Sequence, residues 1–134
     1  MRFVDTNVLI YSISGHKEPR KAQRAAEVIA EGDLALSIQV LQEFYFQATR
    51  STRHGRLSHG QAVALIEDWR SYPIQENTME VFNNALATCH RYQISYWDAA
   101  IIEAARALGC ETILTEDLQH GQDFGDLRVI NPFR

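Results

Sequence analysis

Short apolar segments that alternate with longer helical ones restrict the folds open to this sequence. Strands are predicted at five such segments: 2–5, 34–37, 73–74, 112–115 and 128–130. The helical spacing of apolar residues predicts six helices: 7–13, 20–31, 38–50, 58–71, 78–92 and 95–108. Thr6 or Asn7 could cap the first helix. Short apolar strands separated by helices predict an α/β fold, a three-layer α/β/α sandwich around a parallel sheet of about five strands.

Length and charge limit the functional classes. The 134 residues fit one domain, expected to span residues 1–134, and there is no apolar run long enough for a membrane span. An acid at position 5 falls too early for a secretion signal, so we expect a cytoplasmic protein. A net charge of −4 means that any nucleic acid must be bound locally. Cys89 and Cys110 are expected to be buried thiols.

Four acids are the candidate functional residues. In an open parallel sheet, ligands bind beyond the carboxyl ends of the strands. Asp5 ends the first predicted strand, Asp117 follows the fourth, and Asp98 lies in the first turn of the last helix. Glu43 lies on the helix after the second strand. Strand alternation does not decide between Asp117 and its neighbour Glu116 as the fourth acid.

Three of these acids also have a structural explanation. Asp5 could begin a turn, and Glu43 lies on the polar side of its helix, where solvent could surround it. Asp98 fits the Ser-x-x-Asp pattern of a capping box that begins at Ser95.

The rest of the last helix nevertheless argues for a buried Asp98. Asp98 shares a face with Ile101 and Ile102, whereas Glu103 and Arg106 mark the polar side. A buried, unpaired carboxylate costs several kcal/mol, so Asp98 must be neutralised, hydrogen-bonded or bound to a cation.

If the four acids converge, they require a cation. Two like charges about 4 Å apart repel by roughly 4 kcal/mol at an effective dielectric constant of about 20. Oxygen ligands without nearby cysteine or histidine favour Mg²⁺ or Mn²⁺. Such ions activate water for phosphodiester hydrolysis, and this chemistry does not distinguish RNA from DNA.

Four motifs resemble the PIN domain family, and specifically the VapC-type toxins of toxin–antitoxin pairs. They are Phe3-Val4-Asp5-Thr6-Asn7-Val8-Leu9, Gln42-Glu43-Phe44, Trp97-Asp98-Ala99-Ala100-Ile101 and Leu114-Thr115-Glu116-Asp117-Leu118. The resemblance implies a five-stranded parallel sheet and Mg²⁺-dependent endoribonuclease activity. It also implies a homodimer and a small antitoxin that inserts into the active-site groove.

The same resemblance assigns roles to residues. It implies that Asp5 and Asp98 bind the metal and that Glu43 and Asp117 complete the catalytic acids. Asn7 and Thr115 match supporting positions. The doubled acid Glu116-Asp117 departs from the family pattern and leaves the fourth position open.

Several other side chains carry weaker expectations. Arg50, Arg53 and Arg56 form a basic run that could bind substrate phosphates or simply be a solvated loop. Trp69 and Trp97 are expected in the core rather than as base-stacking platforms. The five histidines lack ligand spacing and are expected at the surface.

Other functions remain open from the sequence. One is a metal-independent ribonuclease in which His54 or His59 acts as the general base. Another is a PIN-like module that binds RNA or a partner without cleaving it. A response-regulator type of module would need a lysine after its last strand, and only Asn131, Pro132, Phe133 and Arg134 follow here.

Overall fold

The five predicted strands form one sheet. The structure, a computed structural model, describes residues 1–134. The strands are β1 (Arg2–Val4), β2 (Leu34–Ser37), β3 (Ile74–Gln75), β4 (Thr112–Leu114) and β5 (Arg128–Ile130). Their order is β3-β2-β1-β4-β5, and every neighbouring pair is parallel. The predicted parallel sheet is confirmed.

All six predicted helices are present, with ends within two residues of those expected. They are α1 (Thr6–Ser12), α2 (Pro19–Glu31), α3 (Ile38–Thr49), α4 (His59–Trp69), α5 (Met79–Tyr92) and α6 (Tyr96–Ala107). The starts of α4, α5 and α6 shift by one residue because Ser58, Thr78 and Ser95 are N-caps. Each side-chain hydroxyl accepts a hydrogen bond from a backbone amide of the first turn, which requires the cap itself to be non-helical.

The cap of α1 differs from the prediction. Asp5, rather than Thr6 or Asn7, is the N-cap, and its Oδ1 accepts a hydrogen bond from the Thr6 amide at 2.7 Å. The reason is that β1 ends at Val4 and leaves one residue before the helix. The strand-end acid is therefore held in a defined orientation.

Two groups of helices cover the sheet and give the predicted three layers. One group runs from α1 through α2 and α3 to α4, and the other is the pair α5 and α6. Trp69 is 5% exposed and packs edge-on against Phe44, with ring centroids 4.7 Å apart. Trp97, by contrast, is 65% exposed, so its predicted core position is wrong. Trp97 lies in the first turn of α6, where packing against the neighbouring elements does not cover the indole.

The chain connections open a crevice at the carboxyl ends of β1 and β4. The chain leaves β1 toward β2 on one side, whereas it leaves β4 toward β5 on the other. Connections that diverge in this way leave a gap between neighbouring strands, which is where ligands bind in open α/β sheets. The register pairs Val4 with Leu114, so Asp5 and Thr115 emerge side by side.

The predicted surface position of the histidines is confirmed, and one of the two cysteines differs from its prediction. All five histidines are exposed, and no helix combines the length and apolar character needed to cross a membrane. Cys110 is buried as expected, whereas Cys89 is only half-buried.

Glu103 corrects the predicted polar side of α6. Its side chain is 7% exposed because α5 packs across it. Its Oε2 accepts hydrogen bonds from the Thr88 hydroxyl at 2.8 Å and from Arg106 Nη1 at 2.7 Å. Arg106 also donates from Nε to Asp126 at 3.0 Å. Glu103 therefore ties α5, α6 and the segment before β5 together.

We expect Glu103→Ala to lower the free energy of unfolding by about 3 kcal/mol, because it leaves the Arg106 charge and the Thr88 hydroxyl without their buried partner. Urea unfolding followed by circular dichroism measures the change. The control is Glu27→Ala, which breaks the exposed pair with Arg24 and should cost less than about 0.5 kcal/mol. Equal losses in the two variants would contradict this role.

Candidate active site

Asp5 lies at the base of the crevice, 7% exposed, directly after β1. Its Oδ1 accepts from the Thr6 amide at 2.7 Å, and its Oδ2 accepts from the Thr115 hydroxyl at 2.8 Å. Each carboxylate oxygen therefore has one protein donor, and each keeps lone pairs free for a further contact.

The Thr115 hydroxyl joins three other groups of the site. While it donates to Asp5, it accepts from Asn7 Nδ2 at 3.0 Å and from the backbone amide of Asp117 at 3.0 Å. These contacts use its single donor and both lone pairs. Thr115 is fully buried, so it fixes Asp5, Asn7 and the start of the loop after β4 in one arrangement.

Asn7 and Asp117 lie above this hydroxyl. Asn7 Nδ2 also donates to Asp117 Oδ2 at 3.1 Å, which orients the carboxylate. The other amide atom, Asn7 Oδ1, is buried and has no hydrogen-bond partner in the protein. An unpartnered buried acceptor indicates a position for water or a cation.

Glu43 and Asp98 reach the same place from α3 and α6. Glu43 Oε1 accepts from Gln39 Nε2 at 3.2 Å, one helical turn earlier, and from the Thr6 hydroxyl at 3.4 Å. In α6, the Ser95 hydroxyl accepts from the Asp98 backbone amide at 3.0 Å. That capping bond uses the Asp98 backbone, and the side chain of Asp98 lines the cavity described next.

The four acids line one cavity of about 260 Å³. They share it with no lysine, arginine or histidine; the lining residues are Asp5, Thr6, Asn7, Gln39, Glu43, Gln47, Trp97, Asp98, Ile101 and Asp117. The structure thus brings together acids that are up to 112 positions apart in the chain. We call this the acid cavity.

Burial and the charges of neighbouring acids raise the pKa of Asp5, Glu43 and Asp98. Burial raises the pKa of Asp5 to about 7, against the opposing hydrogen bonds from Thr115 and Thr6, and the charges of Asp117 and Glu43 raise it further. Burial also raises the pKa of Glu43, with added repulsion from Asp117 and Asp98. The pKa of Asp98 is raised by burial and by the charge of Asp117.

The sequence model of the PIN domain family matches residues 2–122. This chain belongs to the PIN domain family. No protein with a curated description matches it in sequence.

Solved structures of toxin–antitoxin proteins share the fold of this PIN domain. A toxin–antitoxin complex from Klebsiella pneumoniae is 18% identical, with a TM-score of 0.73 and 98% of each chain covered. The Mycobacterium tuberculosis toxin VapC20, which cleaves the sarcin–ricin loop, is 21% identical, with a TM-score of 0.66 and 84% of this chain and 87% of that chain covered. VapBC2 from Rickettsia felis, bound to a DNA fragment from its promoter, is 16% identical, with a TM-score of 0.63 and 96% of each covered. At these identities the likeness establishes the fold alone.

The donor set of this PIN domain fits a hydrated divalent cation. The ionisable lining groups are all carboxylates, and Asn7 Oδ1 is an acceptor without a protein partner. No three carboxylates enclose a single metal position. This arrangement suits Mg²⁺, which proteins usually hold through one or two carboxylates while it keeps several waters.

The structure separates Glu116 from Asp117. Glu116 Oε2 accepts from Lys21 Nζ at 3.0 Å, and Oε1 accepts from the Tyr11 hydroxyl. Its charge is therefore compensated outside the acid cavity, whereas Asp117 lines that cavity. The paired charges favour Asp117 as the fourth acid, and the catalytic role itself stays a prediction.

The three candidate arginines do not line the acid cavity, and they divide between two others. Arg50 and Arg53 line a second cavity of about 390 Å³ with Lys17, His16 and His54. We call this the basic cavity. Arg56 lines a separate depression beside Tyr45 and His59. The three arginines form one basic run in the sequence, but the turn at residues 51–55 directs Arg56 away from Arg50 and Arg53.

Some lining residues were missed from the sequence. Gln39 and Gln47 lie four residues to either side of Glu43, and helical spacing already places them on its polar face, but they were not predicted as site residues. Thr6 follows Asp5 directly. Lys17 and Ser14 of the basic cavity had no comparable signal, because tertiary packing alone brings them beside Arg53.

The raised pKa of Asp5 predicts a pH dependence of stability in the metal-free protein. A folded-state pKa of about 7 against an ordinary value of 3.8 favours the protonated form on folding. The resulting stability is fully present below pH 3.8 and is lost as the pH rises through 7. The corresponding free energy is roughly 4 kcal/mol.

Urea unfolding in EDTA tests this effect by comparing the wild type with Asp5→Asn, whose side chain does not titrate. Between pH 4 and pH 8, the unfolding free energy of the wild type should fall by roughly 4 kcal/mol relative to that of the variant. A difference independent of pH would show that Asp5 titrates normally in the folded protein.

Proposed function

We propose that this PIN domain is a divalent-metal-dependent endoribonuclease and the toxin of a toxin–antitoxin pair. The observation that carries the proposal is the convergence of Asp5, Glu43, Asp98 and Asp117 on one cavity without a compensating cation. Such a cluster is unfavourable for stability by itself and becomes favourable when a divalent ion binds.

Each acid has a proposed role. Asp5 and Asp98 hold the ion, Mg²⁺ or Mn²⁺, while Glu43 and Asp117 complete the acidic set and accept hydrogen bonds from water. When bound, the ion supplies an activated water and charge stabilisation for phosphodiester hydrolysis. Thr115 and Asn7 keep the carboxylates of Asp5 and Asp117 oriented, so little reorganisation is needed on binding.

RNA is the proposed substrate, and an antitoxin the proposed partner. The structurally similar VapC20 cleaves the sarcin–ricin loop, an RNA target, and the structurally similar Klebsiella protein is part of a toxin–antitoxin complex. By analogy, a small cognate antitoxin would block the acid cavity, and the protein would act in the cytoplasm as a homodimer.

The basic cavity is the proposed site for phosphates next to the scissile one. Both cavities are lined by α1: Thr6 and Asn7 line the acid cavity, and Ile10 and Tyr11 line the basic one. The shift along the helix is about one turn, or roughly 5.4 Å. Arg50, the residue that caps the end of α3, follows Gln47 of the acid cavity by three positions and lines the basic cavity. A strand that passes over the acids therefore meets these cations next.

The cations of the basic cavity are free to bind an anion. Lys17, Arg50 and Arg53 take part in no ion pair. Arg53 donates from Nη2 to the Ser14 hydroxyl at 2.8 Å, while its buried Nε has no partner. Because this guanidinium has no carboxylate partner, its charge is available to a phosphate that enters the cavity.

A histidine-based, metal-independent ribonuclease is the alternative enzyme. His59 shares a hydrogen bond of 2.9 Å between Nδ1 and the Tyr45 hydroxyl, and His54 lies beside His16 in the basic cavity. Neither lines the acid cavity. EDTA distinguishes the two enzymes, because only the metal-dependent one loses activity.

We expect Asp98→Asn to reduce Mg²⁺-dependent cleavage of RNA by more than about 100-fold, since even supporting residues of metal sites contribute 10- to 100-fold. The assay compares structured ribosomal RNA with and without EDTA, and circular dichroism checks folding. The matched control is Asp68→Asn, an exposed acid on α4, which should retain wild-type activity. Full activity in Asp98→Asn would refute the assignment.

Charge reversal tests the basic cavity. Arg53→Glu should weaken RNA binding and raise KM. It should also reduce the slope of log Kd against log salt by about 1, the change expected when one phosphate contact is lost. Arg56→Glu has the same change of charge in a different depression and should leave that slope closer to the wild type. Identical slopes for the two variants would mean that Arg53 acts only through net charge.

A further inference from the structure

Trp97 is a large apolar side chain left at the surface beside the proposed catalytic acids. It is 65% exposed and directly precedes Asp98. Its side chain lines the acid cavity, and it also lines a neighbouring cavity of about 360 Å³. Any group that rests on the indole therefore lies next to the position at which a phosphate would meet Asp98.

The neighbouring cavity combines aromatic rings with side-chain amides. We call it the aromatic groove and define it by Gln39, Gln42, Asn77, Phe82, Tyr96 and Trp97. Tyr96 packs edge-on against Trp97 at 5.1 Å and contacts Phe82 at 5.9 Å between ring centroids. Gln39 lines both the groove and the acid cavity, so the two lie side by side.

The amides of Gln42 and Asn77 in the groove are only weakly satisfied within the protein. Asn77 Nδ2 donates to Gln42 Oε1 at 3.4 Å. Hydrogen bonds of this length are weak and can be exchanged for better ones. Amides that both donate and accept are the groups that recognise nucleobase edges.

The charge of the groove excludes a phosphate as its occupant. No lysine, arginine or histidine lines it, and Glu76 is its one charged residue. A nucleobase, in contrast, is neutral and flat, and proteins bind single-stranded bases by stacking on exposed aromatic rings.

On these grounds, and resting on the proposed function, we infer that Trp97 stacks on the nucleobase flanking the scissile phosphate. Gln42 and Asn77 then contact the edge of that base. Each surface then binds a different part of one substrate. The acid cavity holds the cleaved phosphate, the basic cavity holds neighbouring phosphates, and the aromatic groove holds the flanking base. Trp97 is thereby a specificity-determining residue.

The test uses a single-stranded RNA that the wild type cleaves at one site. Trp97→Ala should lower kcat/KM by about 5- to 150-fold, the range found when base-stacking aromatics are replaced by alanine. Trp97→Phe should recover most of the loss. The control Phe46→Ala removes another exposed aromatic, 66% exposed on α3 and outside both cavities, and should leave kcat/KM unchanged.

An abasic nucleotide separates stacking from a structural effect. Placed on one side of the cleaved bond and then on the other, it should reduce wild-type kcat/KM at one of these positions as much as Trp97→Ala does. At that position Trp97→Ala should lose nothing further. If Trp97→Ala lowers kcat/KM by the same factor on the abasic substrates as on the intact RNA, at both positions, then Trp97 contacts neither base and the inference is wrong.

Fluorescence tests binding without relying on cleavage. Trp97 is the exposed tryptophan and Trp69 is 5% exposed, so quenching by an RNA should report Trp97. In Ca²⁺, a short adenosine homopolymer should quench wild-type emission but not that of Trp97→Ala. Equal quenching in both proteins overturns the inference. A wild type that binds and quenches but cleaves no RNA refutes the proposed nuclease function and leaves the stacking site in place.

A second copy of the chain is the competing occupant of this surface. Met79 of α5 also lines the groove and is 72% exposed, and Leu86, 46% exposed, extends the apolar surface beyond it. If Trp97→Ala dissociates a dimer in light scattering while base-dependent cleavage is unchanged, the groove is a protein interface instead. An unchanged oligomeric state together with the loss of base dependence supports the nucleobase.

Discussion

The hydrogen bond from the Thr115 hydroxyl to the Asp5 carboxylate, 2.8 Å long, is the contact on which the site depends. It forms because β1 and β4 are neighbouring parallel strands whose register pairs Val4 with Leu114. The next residue of each strand then emerges at the same edge of the sheet. Asn7 and Asp117 attach to the same hydroxyl, so the sheet register sets the spacing of the site.

The acid cavity is a region where charge is unfavourable in the metal-free fold. Burial and repulsion raise the pKa values of Asp5, Glu43 and Asp98, which means that the metal-free fold tolerates their charges poorly. The fold compensates elsewhere, through a core of 23 buried apolar residues and the buried Glu103–Arg106 pair. A bound cation would relieve the repulsion, so ligand binding and stability are linked in this protein.

Basic side chains without an acidic partner gather in one cavity of an acidic protein. The net charge is −4, yet Lys17, Arg50 and Arg53, which form no ion pair, line the basic cavity, and α1 lines both this cavity and the acid cavity. A polyanion can therefore be bound locally by an acidic protein. The aromatic groove, which shares Gln39 and Trp97 with the acid cavity, has no such cations.

The sequence by itself determined the elements and the candidate acids, because apolar periodicity, helix caps and strand ends are local properties of neighbouring residues. Asp5 and Asp117 followed from their positions at strand ends in a parallel sheet. Only the tertiary structure decided which of two adjacent acids faces the cavity, that Glu103 is buried and that Trp97 is exposed. Each of these depends on a partner far along the chain, Lys21 for Glu116 and Thr88 for Glu103, or on the lack of a covering element, as at Trp97. Such contacts are set by how helices pack on the sheet, which no local pattern encodes.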